Sequence, residues 1–454
     1  MNNAARKYNT SMKYFFALVL NLIFVWAFEV PLLGVFVFIS STILLVFIYY
    51  HARKCNTRYG AMLELMCFTM PFAWRSIFGT CFSELNISWF YIICLIYCLI
   101  ALFEFSLSKF TKLRDYKSTL LLCVFLLLAG IFPVLYSYNL TVGVSRFLPY
   151  VVFFTVVIAS LPFARTMTKR ETYTVMHAVV MVSLFCAIMV IAQFSLAFLF
   201  DIDFLIVDLA GSPSGLRRLF SFMFLDASAN FLLLATGAII CFVCKKNVSK
   251  RYLIIMVLIL TGVMFTSTRT AIVSFAATVL LFIFRPASKY KVFKLFSLLA
   301  FVPIGSIIVS LVRPGYNIIT FFTSDSGRTE LVFETFPIIM ENLFLGTGFD
   351  WTGTGMDVVI HVFILNVLLS TGIIYTLLFL LLVLKIFKVA MKKHLMVWLL
   401  VPSVIGSFFI PELIASRFFV IIVAIIILAK DRQTHKKMIE EPENYLYDLM
   451  EQSI

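Results

Sequence analysis

Charged residues are scarce in this chain of 454 residues: Asp, Glu, Lys and Arg make up only 13%, whereas hydrophobic residues make up 62%. A soluble globular domain has about 25% charged residues, so the composition excludes that class. The mean hydropathy of +1.02 instead predicts a protein that crosses a membrane many times.

Several motifs of soluble enzymes are also missing. No Asp-Asp pair and no His/Glu cluster has the spacing of metal ligands, and the chain has no Walker or dinucleotide-binding motif. We therefore expect no metal and no nucleotide cofactor, so any reaction must draw its energy from the substrate or from a gradient. The nine cysteines are scattered, mostly within apolar runs, and predict no structural disulfide.

The lysines have a one-sided distribution. All 20 lysines and nine of the 17 arginines lie in eight basic segments between apolar runs: 1–13, 51–58, 109–117, 165–170, 245–251, 285–294, 385–393 and 430–437. Cytoplasmic loops accumulate Lys and Arg, so we assign these segments to the cytoplasm. This bias accounts for the net charge of +14 without a nucleic-acid partner.

The other eight arginines lie at or near the opposite ends of the apolar runs: Arg75, Arg146, Arg217, Arg218, Arg269, Arg313, Arg328 and Arg417. Arginine, unlike lysine, presents a planar fork of five donors that fits phosphate oxygens two at a time. An outer face with arginines and no lysine therefore predicts that a phosphate or pyrophosphate group is handled outside the cytoplasm.

The apolar runs predict an all-α polytopic membrane protein with 12–14 transmembrane helices and both termini in the cytoplasm. With about 20 residues per span, we place fourteen helices at 14–29, 32–50, 60–80, 87–106, 118–137, 144–163, 172–199, 221–243, 252–267, 269–284, 295–312, 359–384, 395–411 and 416–430. Residues 1–430 form one transmembrane domain, and residues 431–454 form a cytoplasmic tail, interpreted as disordered in preference to a docking motif.

Two outer connections are long, at residues 200–218 and 313–358. The second contains an amphipathic stretch at residues 330–342, with apolar side chains at helical spacing. We predict that this stretch forms a helix lying at the outer membrane interface.

Arg269 lies in a short turn between two predicted helices, in the sequence Thr266-Ser-Thr-Arg-Thr270. A guanidinium there is costly unless it reaches the interface or an anionic partner. The surrounding hydroxyls favour an anion-binding cup. The alternative is an interfacial anchor that contacts lipid headgroups.

Arg217 and Arg218 precede the predicted helix at residues 221–243, where free backbone N–H groups also attract an anion. Headgroup contact or a stop signal is an equally good interpretation of this pair. Asp226 and Asn230 follow in the same apolar span and are predicted to face the protein interior.

His361 begins the predicted helix at residues 359–384, after a glycine-rich turn. The pKa range of histidine suits a general base near neutral pH. A lone histidine is just as often a structural hydrogen-bonding residue, and both interpretations stay open.

The order of these elements resembles the family of polytopic membrane proteins that holds the O-antigen polymerases and O-antigen ligases. The resemblance covers about residues 215–380 and rests on short motifs in order: Arg217-Arg218 with Asn230, Ser267-Thr-Arg269-Thr-Ala271, Ser324-Asp-Ser-Gly-Arg328, Glu341-Asn-Leu-Phe-Leu-Gly346-Thr-Gly348, and His361 with Asn366 and Gly372. The chain departs from the family pattern at Asp226-Ala-Ser-Ala-Asn230 and lacks a proline after Asn342.

The resemblance implies a GT-C-like membrane glycosyltransferase of the bacterial inner membrane, with a donor saccharide on undecaprenyl pyrophosphate. In the polymerase, the growing chain moves to the next lipid-linked repeat unit; in the ligase, it moves to lipid A-core. Departure of the lipid pyrophosphate drives the reaction. The bilayer, the lipid-linked donor and acceptor, a chain-length regulator and a flippase of the same pathway are the implied partners.

The resemblance also implies roles for the candidate residues. Arg269, with Arg217 or Arg218, holds the donor pyrophosphate and stabilises its growing charge, and Arg328 and Arg146 add contacts to diphosphate or sugar. His361 accepts or orients the proton of the acceptor hydroxyl. Tyr316, Trp351 and Asn342 are candidates for the sugar path.

Three alternatives to the favoured polymerase stay open. A ligase would use the same chemistry with another acceptor. A transporter such as a flippase for the lipid-linked sugar would suit Asp226 and Glu104, which lie within predicted spans, although the chain has no detectable repeat. A structural scaffold would leave the arginine bias unexplained.

Overall fold

The computed structural model describes residues 3–29, 34–78, 87–105, 113–200, 202, 207–208, 218–219, 227–244, 250–266, 269–284, 328–354, 360, 362–393, 396–408, 413–414 and 417–430. Helices make up nearly all of this part of the chain. In chain order they are α1 (Asn3–Glu29), α2 (Gly34–Arg53), α3 (Arg58–Thr69), α4 (Trp89–Phe103), α5 (Lys117–Ala129), α6 (Ile131–Leu135), α7 (Leu140–Ser160), α8 (Lys169–Leu199), α9 (Ala227–Cys244), α10 (Lys250–Phe265), α11 (Arg269–Phe284), α12 (Arg328–Glu341), α13 (Phe363–Met391), α14 (Val397–Gly406) and α15 (Phe418–Leu428).

The described helices agree with the prediction of a helical membrane protein. Five stretches are long and apolar enough to cross a membrane by length and composition: Gly34–Arg53, Lys117–Leu135, Leu140–Phe163, Lys169–Ala197 and Phe363–Met391. Seven shorter apolar helices of 10–17 residues accompany them. The predicted span 295–312 lies outside the described residues, so the count of fourteen spans stays a prediction.

Two predicted spans are shorter or broken in the structure. The helix predicted over 60–80 ends as α3 at Thr69 and continues as a single 3-10 turn, Met70–Phe72, because Pro71 has no N–H to continue the helix. The helix predicted over 118–137 is divided into α5 and α6. Pro133 accounts for this break, since it cannot donate a hydrogen bond to the preceding turn.

Helix α15 forms the centre of the bundle. Every one of its residues, Phe418–Leu428, is buried, and it packs against α3, α7 and α13. A helix that is apolar on all sides is expected in the interior of a helical bundle. The short final apolar run is therefore a core element of the protein.

Several basic segments meet at one end of this bundle. Lys385 Nζ donates to Ser118 Oγ at 2.9 Å, Met167 pairs with Ala429, and the Thr57 N–H donates to the Glu171 carboxylate. The last two contacts join segment 165–170 to segment 51–58 and to the residue before segment 430–437, and Asp115, Arg165 and Lys385 line one groove, which adds segments 109–117 and 385–393. We call this the lysine-rich end; Arg146 lies near the opposite end of α7, which we call the arginine end.

One small departure from an all-helical fold lies in the first long connection. Residues Val207–Asp208 and Arg218–Leu219 form two short antiparallel strands, with Asp208 opposite Arg218. Among the described residues, the long apolar stretches are all helical, as the predicted all-α class requires, and this strand pair is an addition to it.

The amphipathic stretch predicted at 330–342 is helical, as α12. Its Phe333, Phe336 and Met340 are exposed, whereas Ile339 is buried with Leu369 of α13. An exposed apolar stripe on a helix fixed to a membrane-spanning helix supports immersion in the interface. Its position at the membrane interface stays a prediction.

Candidate functional site

Arg146 lies two turns into α7 at the arginine end, and it is the predicted site residue whose side chain the structure describes. The helix begins after Asn139, whose side-chain oxygen accepts from the N–H groups of Thr141 at 3.0 Å and Val142 at 3.3 Å. An Asn at this position satisfies N–H groups that the helix itself leaves without partners. The sequence thus fixes where α7 begins and which turn carries Arg146.

The Arg146 guanidinium is held by three consecutive residues of the second long connection. Its Nη1 donates to the Phe349 carbonyl at 2.9 Å and lies 3.7 Å from Asp350 Oδ1. The guanidinium carbon lies 3.7 Å from the centre of the Trp351 ring, which is close enough for a cation–π interaction. About a quarter (26%) of the Arg146 side chain stays exposed. The arrangement fixes a cation in place and leaves part of it open to a ligand.

Asp350, which the sequence did not single out, organises this contact. Its carboxylate is buried; Oδ2 accepts from the Asn139 N–H at 3.0 Å, and Oδ1 accepts from the Thr352 hydroxyl at 2.9 Å. A buried carboxylate needs such donors to offset the loss of hydration. In the sequence, only its position directly after the Gly346-Thr-Gly348-Phe motif could have marked Asp350 as a site residue.

The segment at residues 341–351 is also attached to the turn between α6 and α7. Ser137 Oγ accepts from the Phe349 N–H at 3.0 Å and donates to the Pro133 carbonyl at 2.7 Å. The Tyr136 hydroxyl donates to the Leu345 carbonyl. The turn before α7 therefore sets the path of the segment that holds Arg146.

On its other side the segment packs into a kink of α13. Gly372 has a φ of +75°, and a Cβ there would lie 2.1 Å from the Phe344 carbonyl oxygen. Gly346 has a φ of +74°, and its Cβ would lie 2.5 Å from the Ser370 carbonyl carbon. Both the backbone angle and the close approach require glycine. The glycines of the motif thus join the loop to α13 at backbone contact.

Backbone hydrogen bonds complete this joint. Thr347 N–H donates to the Leu369 carbonyl at 2.7 Å, Gly348 N–H donates to the Ser370 carbonyl at 3.0 Å, and Ile373 N–H donates to Leu343 at 2.7 Å. The kink of α13 frees these carbonyls for the loop. The loop is therefore a rigid part of the bundle near the arginine end.

The structure places the other predicted site residues only in part. Arg269 is the first residue of α11, Arg328 is the first residue of α12, and Arg218 lies in the second short strand; their side chains are outside the described part. Arg217 and His361 lie outside the described residues, as do Asp226 and Tyr316. Their roles stay predictions.

The two residues next to His361 in the chain, Ile360 and Val362, are described, and both pack beside Trp351. Ile360 is buried in a small apolar cluster with Trp351, Ile339 and Leu369, and Val362 packs against that cluster. The same Trp351 covers the Arg146 guanidinium. Ile360 and Val362 therefore lie beside Trp351, one of the residues that hold Arg146.

Two of the predicted polar partners have local roles. Thr266, expected to contribute to an anion cup around Arg269, gives its hydroxyl proton to the Val263 carbonyl of α10. Asn342 donates its side-chain N–H to the Ile338 carbonyl of α12 at 3.0 Å. Both side chains thus donate to carbonyls of the helix that precedes them in the chain.

The carboxylate Glu104, which suited a transporter, lies at a helix end. It follows the last residue of α4 and forms an ion pair with Arg58 at 2.7 Å, with both side chains partly exposed. A second carboxylate, Glu64, is fully buried and pairs with Lys13 at 2.8 Å; it lies within two turns of the start of α3 at the lysine-rich end. Each of these two carboxylates therefore has a basic partner in the structure.

No group of three His, Cys, Asp or Glu side chains in the described part of the chain is placed to hold a metal ion. The expectation of a metal-free reaction rests on the sequence.

Comparison with known proteins adds one finding on the family. Residues 254–380 match the family model described as O-antigen ligase. The matched range contains α11, α12, the loop at residues 341–351 and the kink of α13; Arg146 lies outside it and reaches it through Phe349, Asp350 and Trp351. No curated protein and no solved structure matches the chain.

Proposed function

We propose that this chain, whose residues 254–380 match the family model described as O-antigen ligase, belongs to the O-antigen ligase/polymerase family and is a polysaccharide polymerase of the bacterial inner membrane. It transfers a growing glycan from undecaprenyl pyrophosphate to the next lipid-linked repeat unit at the periplasmic face. The family match supports a membrane enzyme of surface-polysaccharide assembly. The polymerase activity, the donor and the side of the membrane are our proposals.

The observation that carries the proposal is the fixed guanidinium of Arg146 in contact with the family-matched loop. A cation held by Phe349, Asp350 and Trp351 does not need to reorganise when negative charge develops nearby. Such preplaced charges are the main source of transition-state stabilisation in reactions with an anionic leaving group. The site thus supports departure of a pyrophosphate.

In the proposed reaction, the acceptor hydroxyl attacks the anomeric carbon of the donor sugar and the bond to the lipid pyrophosphate breaks. Arg269 and either Arg217 or Arg218 bind the pyrophosphate oxygens and stabilise the leaving group, with Arg328 and Arg146 as further contacts. His361 accepts the hydroxyl proton. Cleavage of the bond between the sugar and the lipid pyrophosphate drives the reaction, so no nucleotide is needed.

A ligase that transfers the glycan to lipid A-core is the second candidate, because the matching family model is described as O-antigen ligase. Donor chemistry and arginine roles would be unchanged, and the acceptor would differ. A flippase is the third candidate; Glu104, which suited a transporter, lies directly after the last residue of α4 and pairs with Arg58. A chain-length regulator and a flippase of the same pathway are proposed as partners of the enzyme.

The test is reconstitution of the purified chain in liposomes with synthetic undecaprenyl-pyrophosphate repeat units, without lipid A, nucleotide or added metal. A size ladder is expected, and Arg269→Ala or His361→Ala should abolish it. Arg58→Ala is the matched control, since Arg58 is an exposed arginine at the other end of the bundle. A product formed only when lipid A-core is added identifies a ligase; no product with either acceptor overturns glycosyl transfer.

A further inference from the structure

A basic groove opens at the lysine-rich end between α5 and α13, away from the proposed catalytic site. It has a volume of about 360 Å³, and the charged residues that line it are Asp115, Arg165, Lys385, Lys388 and Lys392. Four cations thus face one carboxylate among the described residues. We call this the basic groove; its charge fits an anionic ligand.

The three lysines of the basic groove belong to one face of α13. Lys385, Lys388 and Lys392 are separated by three and four residues at the C-terminal end of the helix, so they lie above one another on successive turns. Like charges at this spacing repel each other. Cations near a helix C-terminus are favoured by the exposed carbonyls, but that effect does not require three lysines on one face.

Arg165 enters the basic groove from the short connection that precedes α8. Its backbone is left-handed, with a φ of +63°, a conformation that few residues other than glycine adopt. The backbone N–H of Arg165 donates to the Ile427 carbonyl at 3.2 Å, which ties the connection to α15. The fold thus holds Arg165 beside the three lysines, in a left-handed backbone conformation that is uncommon for arginine.

The helices beside the basic groove present apolar side chains on their outer surfaces. Leu121, Phe125 and Leu128 of α5 are exposed, and so are Leu377, Leu381 and Leu384 of α13. Exposed leucines on spanning helices face hydrocarbon in a membrane. Lys385 joins the two helices at this place through its hydrogen bond to Ser118. The basic groove therefore lies where the headgroup layer meets the lipid-facing surface of both helices.

We propose that the basic groove is a binding site for the phosphate headgroup of an anionic phospholipid in the leaflet at the lysine-rich end. The four cations contact the phosphate oxygens, and the acyl chains lie against the exposed leucines of α5 and α13. Basic pockets between spanning helices on the cytoplasmic side are suited to such headgroups. This site is separate from the proposed reaction and does not depend on it.

The experiment is native mass spectrometry of the delipidated full chain, titrated with equal amounts of phosphatidylglycerol and phosphatidylcholine. The wild type should bind one phosphatidylglycerol in preference to phosphatidylcholine. Lys385→Gln/Lys388→Gln/Lys392→Gln should weaken phosphatidylglycerol binding roughly 100-fold, at about fivefold for each lysine near an anionic surface. Phosphatidylcholine binding should not change.

The matched control is Lys430→Gln/Lys436→Gln/Lys437→Gln, which removes the same charge from another basic segment. An equal loss in the control and the groove variant would show diffuse surface attraction and overturn the proposal. Lys385→Arg/Lys388→Arg/Lys392→Arg retains the charge and should retain binding, which separates loss of the site from loss of folding.

Two further experiments test whether free phosphate or the C-terminal tail, and not a lipid, binds in the basic groove. Inorganic phosphate that displaces phosphatidylglycerol at equal concentration would show a site for free phosphate and overturn the lipid assignment. A deletion of residues 438–454, which contain Glu440, Glu441 and Glu443, should leave binding unchanged. A large gain after this deletion would show that the acidic tail is the natural occupant and overturn the proposal.

Discussion

Two ion pairs in this protein each join a basic side chain to a glutamate at nearly the same distance but in opposite surroundings. Lys13 Nζ lies 2.8 Å from Glu64 Oε1 with both side chains fully buried, whereas Arg58 Nη1 lies 2.7 Å from Glu104 Oε1 with side chains 55% and 28% exposed. The buried pair connects α1 to α3 and was not anticipated from the sequence. The contrast between the two pairs predicts very different costs for the same substitution.

Glu64→Gln is expected to destabilise the protein by about 3–5 kcal/mol, because it leaves the Lys13 ammonium buried without a counter-charge. Glu104→Gln is expected to cost only about 0.2–1 kcal/mol, because water screens an exposed pair. With an unfolding entropy of about 2 cal/mol/K per residue, the whole chain loses roughly 1 °C of melting temperature per kcal/mol. The expected losses are therefore about 3–5 °C for Glu64→Gln and below about 1 °C for Glu104→Gln.

The assay is thermal unfolding in detergent, followed by a dye that reacts with exposed thiols. Cys67 is a suitable reporter because it is buried in α3, three residues after Glu64. A variant that keeps Cys67 and replaces the other cysteines by alanine restricts the signal to this helix. It should react at a lower temperature after Glu64→Gln and at an unchanged temperature after Glu104→Gln.

The double variant Lys13→Met/Glu64→Leu supplies the control. Replacement of both charges by apolar side chains of similar volume removes the unpaired charge and should restore most of the lost stability. A residual cost of about 1–3 kcal/mol is expected, because Asn56 donates to Glu64 Oε1 at 2.9 Å and would lose this acceptor. Equal shifts for Glu64→Gln and Glu104→Gln, or no recovery in the double variant, would refute the reasoning.

Three further predictions concern the arginine end. Arg146→Lys should lower the rate of glycan transfer in the reconstituted assay by about tenfold, because lysine loses the planar contact with Trp351 and part of the hydrogen bonding; a rate equal to wild type would remove Arg146 from the site. Asp350→Asn should lower stability by about 1–2 kcal/mol in thermal unfolding, because donors to a charged acceptor then meet a neutral one; an unchanged melting temperature would contradict the role of Asp350. Gly372→Ala should cost about 3 kcal/mol or prevent folding, since its Cβ would strike the Phe344 carbonyl in a backbone region that favours glycine; gel filtration of a normal, stable protein would contradict this packing.

The element pattern was largely predictable from the sequence because it depends on local properties. The length of each apolar run sets roughly where a membrane helix begins and ends. The predicted helix at 269–284 has the same bounds in the structure, as Arg269–Phe284. The helix predicted over 60–80 ends at Thr69, and Pro71 lies in the 3-10 turn that follows it, whereas Lys117–Leu135 remains one stretch long enough to span a membrane.

The candidate site was predictable only in its residue types. The bias of arginines toward one side of the membrane singled out Arg146, and the glycine motif singled out the loop at residues 341–351. The sequence did not indicate that Phe349, some two hundred residues away, would accept a hydrogen bond from Arg146. Asp350 also went unnoticed, because an acidic residue in a loop has no periodicity that marks it as buried.

The sequence by itself indicated a helical membrane protein, and it predicted that the lysines lie on one side of the membrane and several arginines on the other. These properties follow from composition and from short-range order along the chain. Only the tertiary structure decided which charges meet: Lys13 with Glu64, Arg146 with Asp350, and three basic segments in one groove. The physical reason is that burial and pairing of a charge depend on neighbours supplied by distant helices, which no local pattern encodes.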